Sequence, residues 1–366
     1  MTETTLGQVS NEIKETCKGE KAGLPVVGLE HLIPEEVTLT QWDENVENTF
    51  TKQFSKGDML FGRRRAYLKK AALAPFDGIC SGDITVIRAK PECISPDLLP
   101  FIIQSDDLFD YAVGKSAGSL SPRVKWEHLK GFKLRLPEIS EQEKLAEILW
   151  GIEETRNAYK KLIAATDELV KSQFIEMFEK RGYPVSTIEE TCTLKSGTTF
   201  SSELELPVGD IIYAKVSDMN LPENSKYIRT SKTFVSRETA GKTLIPAGSV
   251  VFPKRGAAIA TNKKRIAENS ICIDLNTMAV TPKELDLQYL YQYFQNIDMG
   301  TLYNGSSVPQ VNNKDIAPLI ITVPPREKQI EFSEFVEQSD KSKFAANQAL
   351  TELNATKKAL MRQYLG

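Results

Sequence analysis

SEQEKLAEILWGIEETRNAYKKLIAATDELVKSQFIEMFEK, residues 140–180, decides how the rest of the chain is organised. It contains no proline, and its one glycine is Gly151. Its seam positions recur at alternating spacings of four and three, with lysine and glutamate on the other faces: Leu145, Leu149, Ile152, Ile163, Thr166, Val170 and Met177. This pattern predicts an amphipathic helix with a coiled-coil seam, whose apolar stripe is widened by Ile148, Leu162 and Leu169. At about 60 Å, such a helix is too long for one compact domain and requires a partner of similar length.

A second stretch, residues 326–365, has the properties of that partner. It also lacks proline, and adding 187 to each seam position gives seven positions inside it: Phe332, Val336, Ser339, Leu350, Leu353, Lys357 and Tyr364. Just before the two stretches Pro137 matches Pro324, and near their starts Gln142 matches Gln329, at the same offset. A repeat of this period indicates two copies of one large unit rather than a solenoid of short repeats.

The segments outside the two stretches repeat one order of predicted elements. Short strands and turns come first, then a helix, a polar segment and a last alternating strand. Ser95 and Asp286 are the predicted N-caps of the matching helices. The matched segments are 26–32 and 212–219, 56–62 and 248–257, 78–90 and 269–280, 114–129 and 303–316, and 132–137 and 319–325.

Four parts follow from this repeat. We expect a globular domain over 1–138, a long helix over 139–181, a second globular domain over 182–324 and a second long helix over 325–366. Antiparallel packing of the helices lets each bury the apolar stripe of the other. Parallel packing would require the chain to cross back through a whole domain, so the antiparallel arrangement is favoured. The predicted fold class is α/β, with two α/β domains separated by two long antiparallel coiled-coil helices in a pseudo-two-fold arrangement.

Composition limits the classes of function. Hydrophobic residues make up 41% and charged residues 26%, as in an ordinary soluble globular protein. No apolar run has the length of a membrane span and the N-terminus is not a signal peptide, so a cytoplasmic protein is expected. Five cysteines without CxxC spacing and two histidines predict reduced thiols, with no metal site and no cofactor. The net charge of −3 means that nucleic-acid binding must come from local basic clusters.

Two such clusters stand at matched places, each just after a predicted strand. Residues 56–70 hold six cationic side chains against one acid, and residues 254–268 hold five against one. Lysine and arginine there could neutralise phosphates, and arginine could read guanine in the major groove. A solvated turn is the alternative for either cluster alone, and recurrence favours binding. The candidate residues are Arg63, Arg64, Arg65, Lys69, Lys70, Lys254, Arg255, Lys263, Lys264 and Arg265.

A second signal is a pair of segments rich in glycine, serine and asparagine. Short hydroxyl and amide side chains suit hydrogen bonds to base edges and phosphates, and they suit plain turns equally well. The candidates in the first segment are Lys115, Ser116, Ser119, Arg123 and Lys125. Those in the second segment are Asn304, Ser306, Ser307, Gln310 and Asn312.

Catalytic motifs are missing from the sequence. It has no GxxxxGK[ST] and no HExxH. It also has no GxSxG elbow between a strand and a helix, because its one GxSxG string, GKSAG at 114–118, lies in the polar segment. It also lacks the Asn/Asp-Pro-Pro-Tyr/Phe motif of amino-methylating enzymes. His31 and His128 are expected to be structural or surface residues rather than catalytic bases. A non-catalytic binding protein is therefore expected.

The arrangement resembles the specificity (S) subunit of type I restriction-modification systems, over essentially the whole chain. One departure is Lys328, which stands where the first repeat has Glu141. The resemblance rests on order and duplication more than on any single motif. It is carried by LPEISEQEKLAEIL and VPPREKQIEFSEFV, by SLSPRV and SSVPQV, and by GDMLFGRRR and GSVVFPKRG.

The resemblance implies a function as well as a fold. Each globular domain would be a target recognition domain that reads one half of a bipartite site in double-stranded DNA. The helices would be spacers that set the gap between half-sites and dock methyltransferase subunits, two being expected. Restriction subunits that translocate and cleave DNA would join them, with no membrane partner and no chemistry in this subunit. The alternatives are a coiled-coil scaffold that joins two protein partners without binding DNA, and an enzyme with cryptic nuclease or methylase activity.

Overall fold

The computed structural model describes residues 1–19, 23–303 and 308–365. The chain divides into two compact units. Unit 1 comprises Met1–Lys161 together with Ala346–Gly366, and unit 2 comprises Leu162–Ala345. Each unit therefore contains a segment of both long helices. None of the helices in the described ranges is long and apolar enough to cross a membrane.

Unit 1 is an α/β unit. Its strands are β1 (Thr2–Thr5), β2 (Ser10–Ile13), β3 (Val26–Val27), β4 (Lys52–Phe54), β5 (Met59–Gly62), β6 (Ala71–Leu73), β7 (Gly78–Cys80), β8 (Ile84–Ala89) and β9 (Lys133–Leu136). Its short helices are α1 (Leu6–Val9), α2 (Leu99–Ile103), α3 (Asp106–Gly114) and α4 (Trp126–Leu129), and the long helix α5 (Ile139–Phe174) begins in it. The sheets have the orders β2-β8-β5-β6, β3-β7-β4 and β1-β9.

Unit 2 repeats the plan with additions. Its strands are β10 (Val185–Thr187), β11 (Cys192–Ser196), β12 (Ile211–Ala214), β13 (Tyr227–Ile228), β14 (Phe234–Val235), β15 (Val250–Pro253), β16 (Arg265–Ala267), β17 (Cys272–Ile273), β18 (Thr277–Pro282) and β19 (Ile320–Thr322). Its helices are α6 (Ile188–Thr191), α7 (Arg237–Ala240), α8 (Leu287–Asn296), α9 (Asn313–Ile316) and the first part of α10 (Arg326–Leu365). The sheet orders are β11-β18-β15-β16-β13, β14-β12-β17 and β10-β19.

The central strand of each main sheet is buried on both faces, which explains its continuous apolar sequence. In β5, Met59 and Phe61 belong to the core under the helices, whereas Leu60 belongs to the core between the two sheets. In β15 the same alternation places Phe252 in one core and Val251 in the other. Because side chains along a strand alternate between its faces, two hydrophobic cores require an unbroken apolar run.

A matched glutamine fixes the start of each long helix. Gln142 Oε1 accepts from Ser95 N at 3.0 Å, and its Nε2 donates to Pro137 O at 2.8 Å. Gln329 Oε1 accepts from Asp286 N at 2.7 Å, and its Nε2 donates to Pro324 O at 2.8 Å. Both side chains are buried. Each amide therefore ties the first turns of a long helix to the proline before it and to the segment that leads into a domain helix.

The long helices run antiparallel in each unit. In unit 1, Lys357 Nζ donates to Glu153 Oε2 at 3.3 Å, while Leu145 and Leu149 share a core with the last turns of α10. In unit 2, Lys343 Nζ donates to Asp167 Oδ1 at 2.9 Å, and further along α5 Phe174 packs on Phe332 with ring centroids 5.5 Å apart. Residues that come later in α5 thus contact residues that come earlier in α10. The predicted fold class, with two α/β domains and antiparallel long helices, is confirmed.

Two details of the sequence interpretation are wrong. Ile148, Leu162 and Leu169 do not widen the buried stripe, because they are 52%, 49% and 53% exposed. Ser95 does not cap a helix, because α2 begins at Leu99 after a turn. A break at Ser105, which the sequence allows, divides this region into α2 and α3: Leu108 N donates to Ser105 Oγ, and this serine caps α3. Asp286 does cap α8, as predicted.

The glutamine contacts predict a specific loss of stability. Replacing Gln329 with alanine removes two hydrogen bonds and leaves the Asp286 N–H without its acceptor. The expected cost is about 1 to 3 kcal/mol, measured by urea unfolding monitored by circular dichroism. The control is Gln348→Ala, which removes only an exposed bond to Glu352 on the same helix. Equal unfolding midpoints for the two variants would contradict this role for Gln329.

Candidate nucleic-acid interface

In unit 1 the turn after β5 lies against the segment that precedes α4. Val124 N donates to Arg63 O at 3.0 Å, and Arg65 N donates to Pro122 O at 2.8 Å. These bonds place Arg64 and Arg123 opposite each other in an antiparallel bridge. The basic cluster and the polar segment therefore meet in one structure, which we call loop pair 1 (residues 63–65 and 121–124).

Unit 2 contains the same arrangement at the matched positions. Val311 N donates to Lys254 O at 2.9 Å, and Gly256 N donates to Pro309 O at 2.8 Å. Arg255 and Gln310 form the antiparallel bridge. We call this structure loop pair 2 (residues 254–256 and 309–311). Both halves of the chain thus build one backbone motif from segments far apart in sequence.

A left-handed turn shapes each loop pair. Arg65 has φ of 54° and the matched Gly256 has φ of 70°. This region costs little for glycine and more for a residue with a Cβ atom. The arginine therefore holds an unfavourable backbone conformation in loop pair 1, and the same turn is unstrained in loop pair 2.

Asp83 organises the charges of loop pair 1. It lies between β7 and β8 and accepts from Arg123 Nε at 2.7 Å and Nη2 at 3.1 Å. Arg63 and Arg64 approach the same carboxylate within 4.0 and 3.8 Å. The bond from Arg123 is the main cause that lowers the pKa of Asp83. Arg64 Nη2 also donates to Ser121 Oγ at 3.0 Å. Three arginines around one carboxylate leave an oriented positive surface, and each side chain stays partly exposed.

A cavity of about 510 Å³ adjoins this charge cluster. Its lining includes Arg63, Asp83 and Arg123 together with 49–52 and 81–82. Lys52 is one of the lining residues, and its Nζ donates to Ile84 O at 2.9 Å. Burial lowers the pKa of this lysine. The concavity therefore has a cationic wall of the kind that attracts an anion.

Loop pair 2 has different chemistry on the same backbone. Arg255 is exposed, and its Nη2 lies 3.4 Å from Gln310 Oε1. Gln310 Nε2 donates in turn to Asn312 Oδ1 at 2.7 Å. Lys254 is buried, and its Nζ donates to Ser196 Oγ at 2.9 Å. Burial is the main cause that lowers the pKa of Lys254. Amides replace the arginine–carboxylate cluster in this unit.

The carboxylate that matches Asp83 shows the same divergence. Asp274 accepts from Asn276 Nδ2 at 2.8 Å, and burial raises its pKa. Asp83 thus balances arginines in unit 1, whereas Asp274 is half-buried and accepts from one amide side chain in unit 2. The offset of 191 residues between the two aspartates was visible in the sequence, but their opposite environments were not.

Several predicted contact residues are engaged elsewhere. Lys264 is fully buried, and its Nζ donates to Asn262 Oδ1 at 2.7 Å and to Ile297 O at 2.6 Å. Arg265 donates to Met219 O, and Lys263 donates to Asn220. In unit 1, Lys69 Nζ pairs with Asp106 at 2.6 Å, and Lys70 Nζ donates to Leu29 O at 2.6 Å. The recorded contacts of these five cations are with residues outside the loop pairs.

The rest of the first polar segment forms a closed loop. Two backbone bonds between Ala117 and Arg123 close it, and Leu120 at its tip is 90% exposed. Before the loop, Ser116 Oγ donates to Ala112 O, and Lys115 Nζ lies 5.7 Å from the Tyr111 ring centroid. Ser119 and Lys125 are exposed. The predicted residues Asn304, Ser306 and Ser307 lie outside the described residues.

Two residues of this candidate interface were not predicted from the sequence. Asp83 positions the arginines, and Leu120 presents an apolar side chain among polar ones. The matched aspartates were a signal for the first, and an apolar residue inside SLSPRV was a signal for the second. Ser121, which also contacts Arg64, lies in the polar segment that the sequence identified. Within the described ranges, no cluster of three or more His, Cys, Asp or Glu side chains could hold a metal ion. His31 is a structural residue, since its Nδ1 accepts from Gly28 N at 3.0 Å.

Comparison with known proteins agrees with the duplicated architecture. The sequence model of a family described as the type I restriction modification DNA specificity domain matches residues 10–165 and again residues 180–355. A chain from a solved structure concerned with complex assembly and conformational transition of the type I R-M system is similar, with a TM-score of 0.59 and 19% identity. The match covers 99% of this chain and 97% of that chain. The S subunit of a type I restriction-modification system from M. genitalium has a TM-score of 0.58 and 14% identity, with coverage of 100% and 96%. At these identities the structures show a shared fold.

The burial of Lys264 predicts a pH dependence of stability. Burial lowers its pKa from the usual value to about 8, so between about pH 8 and 10.5 the unfolded chain binds more protons at this site. Its contribution to stability is present above the unfolded pKa and is lost as pH falls through about 8. Relative to the Lys264→Met variant, the wild type should gain on the order of 2 kcal/mol of unfolding free energy over this range. Urea unfolding at several pH values measures the difference.

Lys263→Met provides the matched control for the same experiment, because Lys263 is the neighbouring lysine and is not fully buried. It shows the effect of replacing a lysine with methionine at this place in the chain. A difference between the wild type and Lys264→Met that does not change with pH would contradict the lowered pKa of Lys264.

Proposed function

Because the chain belongs to the family of type I restriction modification DNA specificity domains, we propose that it recognises a bipartite site in double-stranded DNA, one half with each unit. Residues 1–138 and 182–324 are the proposed recognition domains. Residues 139–181 and 325–366 are the proposed spacer helices. The proposed role is recognition without catalysis, with the chemistry of modification and cleavage in partner subunits.

The observation that carries this proposal is the recurrence of the loop pair. A basic turn and a polar segment, each predicted from sequence as a separate signal, meet through matched backbone bonds in both units. Arginines at such a place supply phosphate contacts, which provide most of the affinity. Side chains beside them supply base contacts, which provide specificity. A protein scaffold that never binds DNA has no need for a basic turn bonded to a polar segment in both units.

The two loop pairs suit different half-sites. In loop pair 1, arginines held by Asp83 and Ser121 present guanidinium forks, and a fork pairs with O6 and N7 of guanine. In loop pair 2, the amide of Gln310 lies beside Arg255, and a glutamine pairs with N6 and N7 of adenine. We therefore propose guanine contacts in the half-site read by unit 1 and an adenine contact in the half-site read by unit 2.

Exposed apolar side chains on the long helices are the proposed docking sites for methyltransferase subunits. In unit 2, Leu162, Leu169 and Phe344 are 49%, 53% and 72% exposed. Exposed apolar side chains on an otherwise charged helix surface suit an interface with a partner protein. Two methyltransferase subunits are the proposed number, because the chain is duplicated. Restriction subunits that translocate and cleave would complete the assembly.

Charge removal at the loop pairs tests DNA binding. Arg64→Ala and Arg255→Ala should each weaken binding by the assembled complex. If each side chain neutralises one phosphate, the slope of log affinity against log salt falls by about 0.9 for each variant. Fluorescence anisotropy between about 50 and 200 mM salt measures this slope. Arg135→Ala is the control, because Arg135 is an exposed arginine of unit 1 on β9 and pairs with Glu3.

The bipartite site is tested by mapping methylated bases in cells with and without the gene. Loss of a split methylated motif on deletion is the expected result. An Arg255→Ala strain should lose or relax only one half of that motif. Unchanged salt slopes in both variants, together with unchanged methylation on deletion, would favour the scaffold alternative.

The helix surface is tested by assembly with the methyltransferase subunit. Phe344→Ala should weaken co-purification, and an interface anchor of this kind is worth about 2 kcal/mol or more when truncated. DNA-independent affinity measured by surface plasmon resonance reports the change. Glu168→Ala alters an exposed charged residue beside Leu169 and should have little effect. Equal affinities for the two variants would remove Phe344 from the docking surface.

A further inference from the structure

Unit 1 contains a second cavity, of about 430 Å³, which DNA recognition as proposed above does not use. It lies among α2, α3, β9 and the last turns of α10. Its volume is in the range of small-molecule sites, about 300 to 1,000 Å³. Much of its lining is apolar: Phe101, Ile102, Phe109, Phe132, Leu134, Met361 and Leu365.

A buried arginine lines this cavity with an unused donor. The Arg156 side chain is 3% exposed, and its Nη1 donates to Glu153 Oε2. Its Nε is buried, and no acceptor among the described residues lies within hydrogen-bond distance. A buried guanidinium N–H without an acceptor is costly. Glu153 itself does not line the cavity. The donor is therefore available to a group in the cavity.

The buried charges behind the cavity do not balance. Glu153 accepts from Arg156 and also from Lys357, whose Nζ lies at 3.3 Å. Two cations thus share one carboxylate in a protein interior. Burial is the main cause that lowers the pKa of Lys357, and its Nζ lies 5.1 Å from the Phe101 ring centroid. The whole lining carries six cationic side chains and three acidic ones, so the excess is positive.

At the matched position of unit 2 the cationic and acidic side chains are equal in number. The residues that match Glu153 and Arg156 are Asp340 and Lys343, each 187 positions later. Asp340 pairs with Lys226 at 2.5 Å and with Lys343 at 3.0 Å, and Lys343 pairs also with Asp167 at 2.9 Å. Two cations there meet two carboxylates. The excess positive charge is therefore particular to unit 1 and is not a requirement of the helix pair.

We propose that the cavity in unit 1 binds a small molecule that carries one carboxylate on an apolar body. The carboxylate accepts from Arg156 Nε and compensates the unbalanced charge of Arg156 and Lys357. The apolar body lies against the phenylalanine side chains and Met361. Because residues of α10 form one wall of the cavity, an occupant holds the end of this helix against the rest of unit 1.

Octanoate is the probe for this proposal. The two control ligands are 1-octanol, which keeps the apolar chain, and inorganic phosphate, which keeps an anionic group. Isothermal titration of the full chain should give saturable binding of one octanoate. Octanol, which lacks the charge, and phosphate, which lacks the apolar body, should each bind at least about tenfold more weakly. Equal binding of octanol would exclude the carboxylate site, and equal binding of phosphate would exclude the apolar part. Absence of saturable octanoate binding would overturn the proposal.

Two variants of the cavity and one control complete the test. Arg156→Met keeps an apolar stem and restores charge balance at Glu153, and it should weaken octanoate binding by about tenfold or more. Met361→Trp keeps Arg156 but fills space in the cavity, and it should also weaken binding. Lys343→Met, at the matched position of unit 2, should bind octanoate as the wild type does. Circular dichroism confirms folding of each variant, and wild-type affinity in both cavity variants would overturn the proposal.

Discussion

The hydrogen bonds of two buried glutamines fix how each globular unit continues into its long helix. Gln142 and Gln329 each use both ends of the amide, one on a proline carbonyl and one on the N–H of a residue before a domain helix. An amide that is satisfied at both ends admits one orientation, because a flip would place donor against donor. Each glutamine therefore fixes the rotation of its long helix about the helix axis at the point where the helix starts. Rotation of the helix about its axis would break these hydrogen bonds before it disrupted the apolar contacts.

With the helix starts fixed, the loop pairs are free to diverge in side chains. The backbone bonds of residues 63–65 and 254–256 are the same, whereas the groups they present are not. One aspartate position illustrates this freedom: Asp83 lies among three arginines in unit 1, and Asp274 is half-buried beside Asn276 in unit 2. Because the fold depends on the backbone bonds and the strands beneath them, surface chemistry can change while the architecture is kept. The proposed recognition of two different half-sites requires such a division.

Local and periodic signals in the sequence were sufficient for the fold. The offset of 187 found the two long helices, and the matched segments 56–62 and 248–257 contain the doubly buried strands β5 and β15. Predictions failed where the outcome depended on the direction in which a side chain points in the folded protein. Leu162 and Leu169 fit the periodic stripe, yet they lie on its outer edge and are exposed. A count of charges also could not tell that Lys264 turns inward to Ile297 O while Arg255 stays outside.

The site was predictable in its parts and not in its assembly. The basic turn and the polar segment were each recognised as candidates, because their composition is local. Their contact could not be inferred from the sequence. Arg64 and Arg123 are brought together by the folding of the strands and turns that lie between them in the chain. The same holds for the cavity beside Arg156, which joins α2 and α3 to residues of α10 from the far end of the chain. Pairings over such separations depend on tertiary packing, which one sequence does not reveal.

The division of the chain has a consequence for biosynthesis. Unit 2 is one continuous segment, Leu162–Ala345, whereas unit 1 needs both Met1–Lys161 and Ala346–Gly366. Leu360, Met361 and Tyr364 pack against the core of unit 1, and they leave the ribosome only after all of unit 2 has been made. The unit begun first is therefore the one completed last. Until then the apolar side chains of unit 1 that α10 covers are exposed to solvent. A nascent chain halted before residue 346 therefore contains one complete unit and one incomplete unit.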